Sequence, residues 1–330
     1  MIQAIQTTNS TAPAMLSGLV RSPCPLCSGT RSRPETKIAG YQLEKCCDCG
    51  LVFMNPRCTA KHLEDIYTVR DEQALIELYR RIATPNVLDR YREKLRRIER
   101  LVPAKGRLLD FACAAGYFFE LAQTRGWDAH GCDVGEWAGR AAADRGLKNM
   151  HVGRLETLGF PDHHFDVVFA AQVFEHLLHP MEDLAALIRV LKPGGLLYID
   201  VPNYHTLPIM LGKDDFMLNE PPQHINYFTP STIRRMLRDG GMASVKLTSG
   251  GGLKWENLFG RPLCSDITEA YGLVASRSHD GASDRPSLSA RLKTTAKEIA
   301  KSAVINPMLY QRMKVGNNLT AYAVTPPARR

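Results

Sequence analysis

The sequence predicts an α/β chain built on a doubly wound, seven-stranded sheet, preceded by a small metal-binding ribbon and a helical segment. Three observations carry that expectation. From residue 103 onward, short apolar runs of strand length alternate with helical stretches. The stretch RLLDFACAAG, Arg107 to Gly116, delivers an acidic residue from an apolar strand into a loop of small residues that opens a helix. Ahead of it stand two CxxC pairs, one at residues 24 and 27 and one at 46 and 49.

Taken in chain order, residues 1–20 read as a flexible start. They lack the charged opening and long apolar core of a secretory signal, and no run of about eighteen apolar residues occurs anywhere, so a cytoplasmic protein is expected. Residues 21–58 read as a zinc ribbon. Cys24 and Cys27 form CPLC, and Cys46 and Cys49 form part of CCDCG after 18 intervening residues, inside the spacing range of four-thiolate sites. Cys47 competes with Cys46, but it stands only two residues from Cys49, so Cys24, Cys27, Cys46 and Cys49 are the expected ligands of a structural Zn2+. A ribbon with so little core should draw much of its folding free energy from the metal, and chelation should unfold it before the rest. Residues 59–102 read as helices, KHLEDIY, EQALIELYRRI and VLDRYREKLRRIERLV, that form a lid over the ligand mouth, with Tyr67 and Tyr79 as candidate contacts.

The sheet domain spans residues 103–330. Its strands are expected at 107–111, then in WDAHGCD ending at Asp133, then near 149–152, 166–170, 196–201, 243–248 and 319–324. Ligands in such sheets lie beyond the carboxyl ends of the strands, so the loops after Asp110, Asp133, His151 and Ala170 should form the pocket. Ala112, Ala114 and Gly116 keep the first turn narrow enough for a ligand to approach main-chain amides. Asp133 follows Asp110 at about the interval at which such folds offer a carboxylate to a ribose diol. Two carboxylates are thus expected to face one adenosine-sized crevice. There is no GxGxxG, which argues against a pyrophosphate-bearing dinucleotide.

Charge and cysteine content bound the partners. The formal charge is +8, and 12 Lys and Arg against six acids between Lys254 and the end supply most of it. That local surface has no aromatic interleaving, so nucleic acid is disfavoured, and an acidic small molecule or an anionic membrane face suits it at least as well. Within an insertion at about 250–318, the helix SLSARLKTTAKEIAKSAV sets Leu288, Leu292, Ile299 and Ala303 beside Lys293, Lys297 and Lys301. It suits docking on the body or, if exposed, peripheral membrane contact and a phosphorylated or lipid-linked acceptor. The nine cysteines form no secreted disulfide framework and read as reduced thiols.

The first loop, together with FPDHHFDVVFAAQVFEHLLHP (160–180) and LKPGGLLYIDVPN (191–203), resembles the Rossmann-like class I S-adenosylmethionine-dependent methyltransferases. CGLVFMNPR after the second cysteine pair resembles the segment ahead of many bacterial members, including sugar-modifying ones. The resemblance implies S-adenosyl-L-methionine as methyl donor and a sugar, natural-product or cell-surface polysaccharide intermediate as small-molecule acceptor. It puts the methionine amino group near carbonyls around Ala112 and Gly116 and the ribose on Asp133. Where the family's LDxGxGxG has glycines, this chain has Ala112 and Ala114, so the loop should differ slightly or sit in ordinary dihedrals. Arg154 stands where the family often has an acid on the adenine amine, which leaves backbone at Leu155 to read that base. Gln172 matches a position lining the methionine. Glu175 and His176 match a Glu-His pair on the following helix, either a structural helix-start pair or, through His176, a catalytic one, and His224, ahead of YFTP, matches either a catalytic base whose usual glutamate partner is here Gln223 or a structural histidine of the wider family. Tyr204, His205 and Tyr227 are candidate acceptor contacts. An RNA-modifying methyltransferase and a noncatalytic nucleoside-binding protein are the rival readings, and the sequence is silent on oligomeric state.

Overall fold

The computed structural model describes residues 18–38, 40–61, 72–206, 209, 221–250 and 316–328. Tyr67, nearly all of the KHLEDIY helix and the basic insertion lie outside those residues.

The elements, in chain order, are β1 (Ser32–Ile38), β2 (Tyr41–Cys46), β3 (Val52–Met54), α1 (Glu72–Ile82), α2 (Pro85–Leu101), β4 (Arg107–Phe111), α3 (Tyr117–Thr124), β5 (Asp128–Asp133), α4 (Glu136–Asp144), β6 (Met150–Val152), β7 (Phe165–Ala171), α5 (Pro180–Val190), β8 (Leu191–Pro202), β9 (Asn226–Tyr227), α6 (Pro230–Asp239), β10 (Ser244–Gly250) and β11 (Asn318–Val324). The main sheet runs β10-β11-β8-β7-β4-β5-β6. β4 is parallel to both β5 and β7, and only β11 runs against its neighbours. Strand order therefore reverses between β4 and β7, which opens a crevice at their carboxyl ends. Both faces of the sheet are covered, and so β7 and β8 carry the continuous apolar stretches VVFAA and LLYI rather than alternating ones: Val167, Val168, Ala170, Leu197 and Ile199 are all fully buried.

Local chemistry sets the helix ends. Pro85 and Pro230 occupy first-turn positions, where a missing amide hydrogen costs nothing, and Thr229 and Thr232 cap α6 reciprocally. α2 is not a lid. Its fully buried Leu95 and Ile98 pack with Leu108, Phe118, Val167 and Tyr198 as part of the layer on one sheet face. α1 lies nearer the crevice, its Leu75, Ile76 and Leu78 against Ala115, Trp137 and Ala138, with Tyr79 stacked on Trp137 at 4.9 Å.

Two departures from expectation have physical causes. β8 begins at Leu191 rather than 196, because the Pro-Gly-Gly run forms an irregularity inside the strand: Phe165 pairs with Leu191, then Val167 with Leu196. The ribbon, in turn, is no separate unit. Its sheet runs β1-β2-β3-β9, and β9 comes from the segment after β8. Cys24, Leu26, Cys46, Leu51 and Phe53 share one core with Phe228, Ile233 and Leu237. The ribbon's missing core is supplied by the main domain.

Candidate functional site

The crevice starts at the loop after β4. Ala112 and Ala114 adopt φ of 55° and 48°, the left-handed region, and Gly116 follows at 78°. The expected ordinary dihedrals are thus not found: the turn keeps a glycine-like path and carries the strain of two alanines on it. Gly116 has no substitute, because a Cβ there would meet the Phe119 ring at 2.4 Å.

Asp133, half-buried at the end of β5, accepts the Ala114 amide on one carboxylate oxygen and the Gly135 amide on the other, both at 2.9 Å. Those bonds tie the first and second loops together and leave further lone pairs on each oxygen. Burial pushes its carboxyl above the usual range, with the amides of Gly135 and Ala114 opposing. Asp110 behaves differently. It is 4% exposed, it accepts the Phe119 amide at the start of α3, and burial holds its carboxyl well above the ordinary range. One carboxylate faces the crevice, not two, and Asp110 instead anchors the helix behind the loop.

Leu155 lies in the turn after β6 with its side chain buried in the main core, while Arg154 beside it is exposed. Gln172, just past β7, is exposed and has φ of 59°; its backbone amide donates to the Asp200 carbonyl at 2.7 Å. Two charged residues that sequence reasoning missed lie behind it. Asp200, 2% exposed on β8, pairs with the Lys94 ammonium from α2, which also sits 5.9 Å from the Phe169 ring centre. A lone acid inside LLYIDVP was the available signal, since an unpaired charge is rarely buried.

Glu175, His176 and His224 converge, each offering a donor atom within 4.8 Å of the others. The Glu-His pair sits in a turn ahead of α5, not on the helix as expected. His176 Nδ1 lies 3.0 Å from the Gln223 carbonyl, which can only accept, so that nitrogen carries the hydrogen. Its Nε2 lies 3.9 Å from Glu175 Oε1, and the His176 and His224 rings meet edge-on at 4.7 Å. Burial, with His224 adding, pushes His176 down to about 3. It stays neutral and is a poor proton acceptor. Glu175 is 1% exposed, neither of its oxygens has a hydrogen-bond partner, and burial pushes it up to about 8, with Asp200 adding and Lys94 opposing. The carboxylate that Gln223 does not provide therefore arrives from the neighbouring turn.

Backbone bonds staple the two segments together. The Ile225 and Asn226 amides both donate to the Glu175 carbonyl, at 2.8 and 3.0 Å, and the Asn226 side chain donates to the Phe174 and Leu177 carbonyls. Tyr227 is 3% exposed and donates its hydroxyl to the His224 carbonyl at 2.9 Å, so it shapes this loop rather than offering itself to an acceptor. Tyr204 meets the Tyr227 ring edge-on, and His205 is exposed.

In the ribbon, Cys24 Sγ lies 3.4 Å from Cys49 Sγ and Cys27 Sγ lies 3.6 Å from Cys46 Sγ, with all four within 4.8 Å of one another. A tetrahedron with Zn–S bonds of about 2.3 Å has edges of about 3.8 Å, so the four thiols fit a closed zinc site. Cys47 is exposed, and the Asp48 amide donates to Cys46 Sγ.

Residues 85–247 match a family described as a methyltransferase domain. These residues are a class I methyltransferase domain. A ubiquinone biosynthesis O-methyltransferase of Nitrosospira multiformis is 28% identical over 148 residues, covering 41% of this chain and 62% of that protein. One from Roseobacter denitrificans is 30% identical over 156 residues, covering 43% and 62%. This chain thus spans about three fifths of the length of those two relatives. A solved S-adenosylmethionine-dependent methyltransferase of Archaeoglobus fulgidus is 20% identical, covering 72% of this chain and 94% of its own, with a TM-score of 0.47.

The family match begins at α2, which agrees with the packing of that helix into the sheet layer. Its crevice fits the donor that the family uses: a half-exposed carboxylate beside a strained loop is suited to a sugar diol and an amino-acid tail.

Proposed function

We propose that the chain moves a methyl group from S-adenosylmethionine to a hydroxyl-bearing small molecule, such as a sugar, natural-product or cell-surface polysaccharide intermediate. One observation carries this reading. The Asp133 carboxylate, bound to the loop of Ala112 to Gly116, stands at the ends of β4 and β5, and the Glu175–His176–His224 cluster stands beyond β7 and β8 in the same doubly wound sheet.

The bound donor supplies a methyl group on a sulfonium, already a good leaving group, so the protein's work is positioning and exclusion of water. Asp133 accepts the ribose hydroxyls on its remaining lone pairs. Carbonyls around Ala112 and Gly116 take the methionine amino group, backbone at Leu155 reads the adenine, and the exposed Gln172 amide lines the methionine. His224 promotes loss of the acceptor's proton, with His176 held neutral beside it. The O-methyltransferase names of the relatives support oxygen as the atom methylated. The zinc is structural and fixes the ribbon against β9, three residues from His224 at its far end. A cytoplasmic setting is supported by Cys47, Cys58, Cys113 and Cys132, thiols outside the zinc set that form no disulfide among the described residues. In those residues no helix is long and apolar enough to cross a membrane.

The test is incubation of the chain with host-cell extract and donor carrying an isotopically labelled methyl group, followed by mass spectrometry. A labelled small molecule that disappears with Asp133→Asn supports the reading. Label found only in RNA, or nowhere, overturns it.

A further inference from the structure

We propose that Glu175, His176 and His224 form a second metal site, a two-histidine, one-carboxylate set for a borderline divalent cation such as Zn2+ or Co2+, separate from the four-cysteine centre. The three donor atoms lie within 4.8 Å of one another, on segments held together by the Ile225 and Asn226 amides on the Glu175 carbonyl.

Three features point to a cation rather than to a hydrogen-bonded cluster. First, the His176 hydrogen is committed to the Gln223 carbonyl through Nδ1, which leaves Nε2 with a lone pair turned toward Glu175. That arrangement, ring N–H to a carbonyl and the other nitrogen inward, is how metal-bound histidines are oriented. Second, both Glu175 oxygens are buried with no hydrogen-bond partner, a costly state for a carboxyl group that a cation relieves. Third, at 3.9 Å the Nε2–Oε1 separation is too long for a hydrogen bond between the two groups, and an ion about 2.0 to 2.2 Å from each would draw them to the edge of about 3.3 to 3.6 Å that a tetrahedral site has.

Among the described residues the set has three protein ligands, the number found in metal sites that act on substrate. This inference deepens the methyl-transfer reading: an acceptor hydroxyl on the open face of the ion loses its proton to water more readily, and the oxygen keeps the electron pair with which it takes the methyl group. His224 then acts as a ligand of the cation that activates the acceptor.

The test reads metal, not activity. Full-length protein that already holds one zinc is titrated with Co2+ and with Zn2+, and bound metal is counted by mass spectrometry after desalting. Wild type should take a second equivalent, and cobalt there should add weak visible bands without the strong sulfur-to-cobalt absorption of a thiolate site. Glu175→Gln and His224→Ala should each weaken that second binding at least tenfold, while circular dichroism shows them folded. Saturation of the wild type at one equivalent overturns the proposal whether or not the variants fold. So does a second equivalent that binds as tightly in both folded variants. A second equivalent without any methylated product would leave the metal site standing and remove the methyl-transfer reading.

Discussion

Replacing Ala112 by glycine should stabilise the protein, against the usual direction of helix-adjacent Ala→Gly changes. Ala112 sits at φ 55°, where a Cβ costs about 1–2 kcal/mol. Its side chain is exposed, so removing the methyl group forfeits little buried surface. Glycine's greater freedom in the unfolded chain takes back about 0.5–1 kcal/mol. The balance is a gain of about 0.5–1 kcal/mol, a rise in unfolding temperature of roughly 1 °C for a chain of 330 residues. Ala112→Val should move the other way by more than 1 kcal/mol, since a branched side chain tolerates that region worst. Urea unfolding and calorimetry of the two variants beside wild type decide the matter. If Ala112→Gly is less stable than wild type while Ala112→Val is not, the strain argument fails.

Other perturbations follow from the same geometry. Cys46→Ser should lose the ribbon's zinc and lower stability by several kcal/mol, felt in the main domain because the two share a core, while exposed Cys47→Ser should leave the metal content unchanged; metal analysis with thermal unfolding distinguishes them. Without a cation at its site, Glu175 keeps its proton in the folded state up to about pH 8 but loses it near the ordinary value when unfolded. Stability should therefore fall as pH rises from about 4.5 to about 8, with a slope of up to about 1.4 kcal/mol per pH unit from this group; Glu175→Gln should flatten that part of the pH–stability curve. Leu95→Ala, at a fully buried position on α2, should cost about 2–5 kcal/mol by chemical denaturation, whereas removal of a mere lid residue would cost far less.

The fold was legible wherever periodicity and loop chemistry agreed. β4, the opening of α3 and the end of β5 stand where Arg107 to Gly116 and Asp133 put them, because the turn between strand and helix needs small residues and each strand carries an acid at or next to its carboxyl end. The four cysteines were legible from spacing alone. β9 was not: two residues, Asn226 and Tyr227, become a strand only by pairing with Phe53 and Val52, far away in sequence. The Glu175–His224 approach was hidden for the same reason, since it depends on the Asn226 side chain reaching the turn after β7. The alanine loop misled because propensity alone disfavours left-handed alanine, and the tie from Ala114 to Asp133 overrides it.

The central claim is that Asp133 and the loop joined to it grip the methyl donor, and isothermal titration with S-adenosylmethionine tests it directly. Wild type should bind one molecule per chain, and Asp133→Asn, similar in size but without the second carboxylate oxygen to accept ribose hydroxyls, should bind roughly 10–100-fold more weakly, the worth of a charge-assisted bond. Equal affinity in the two proteins, or no binding by the wild type, would contradict the account.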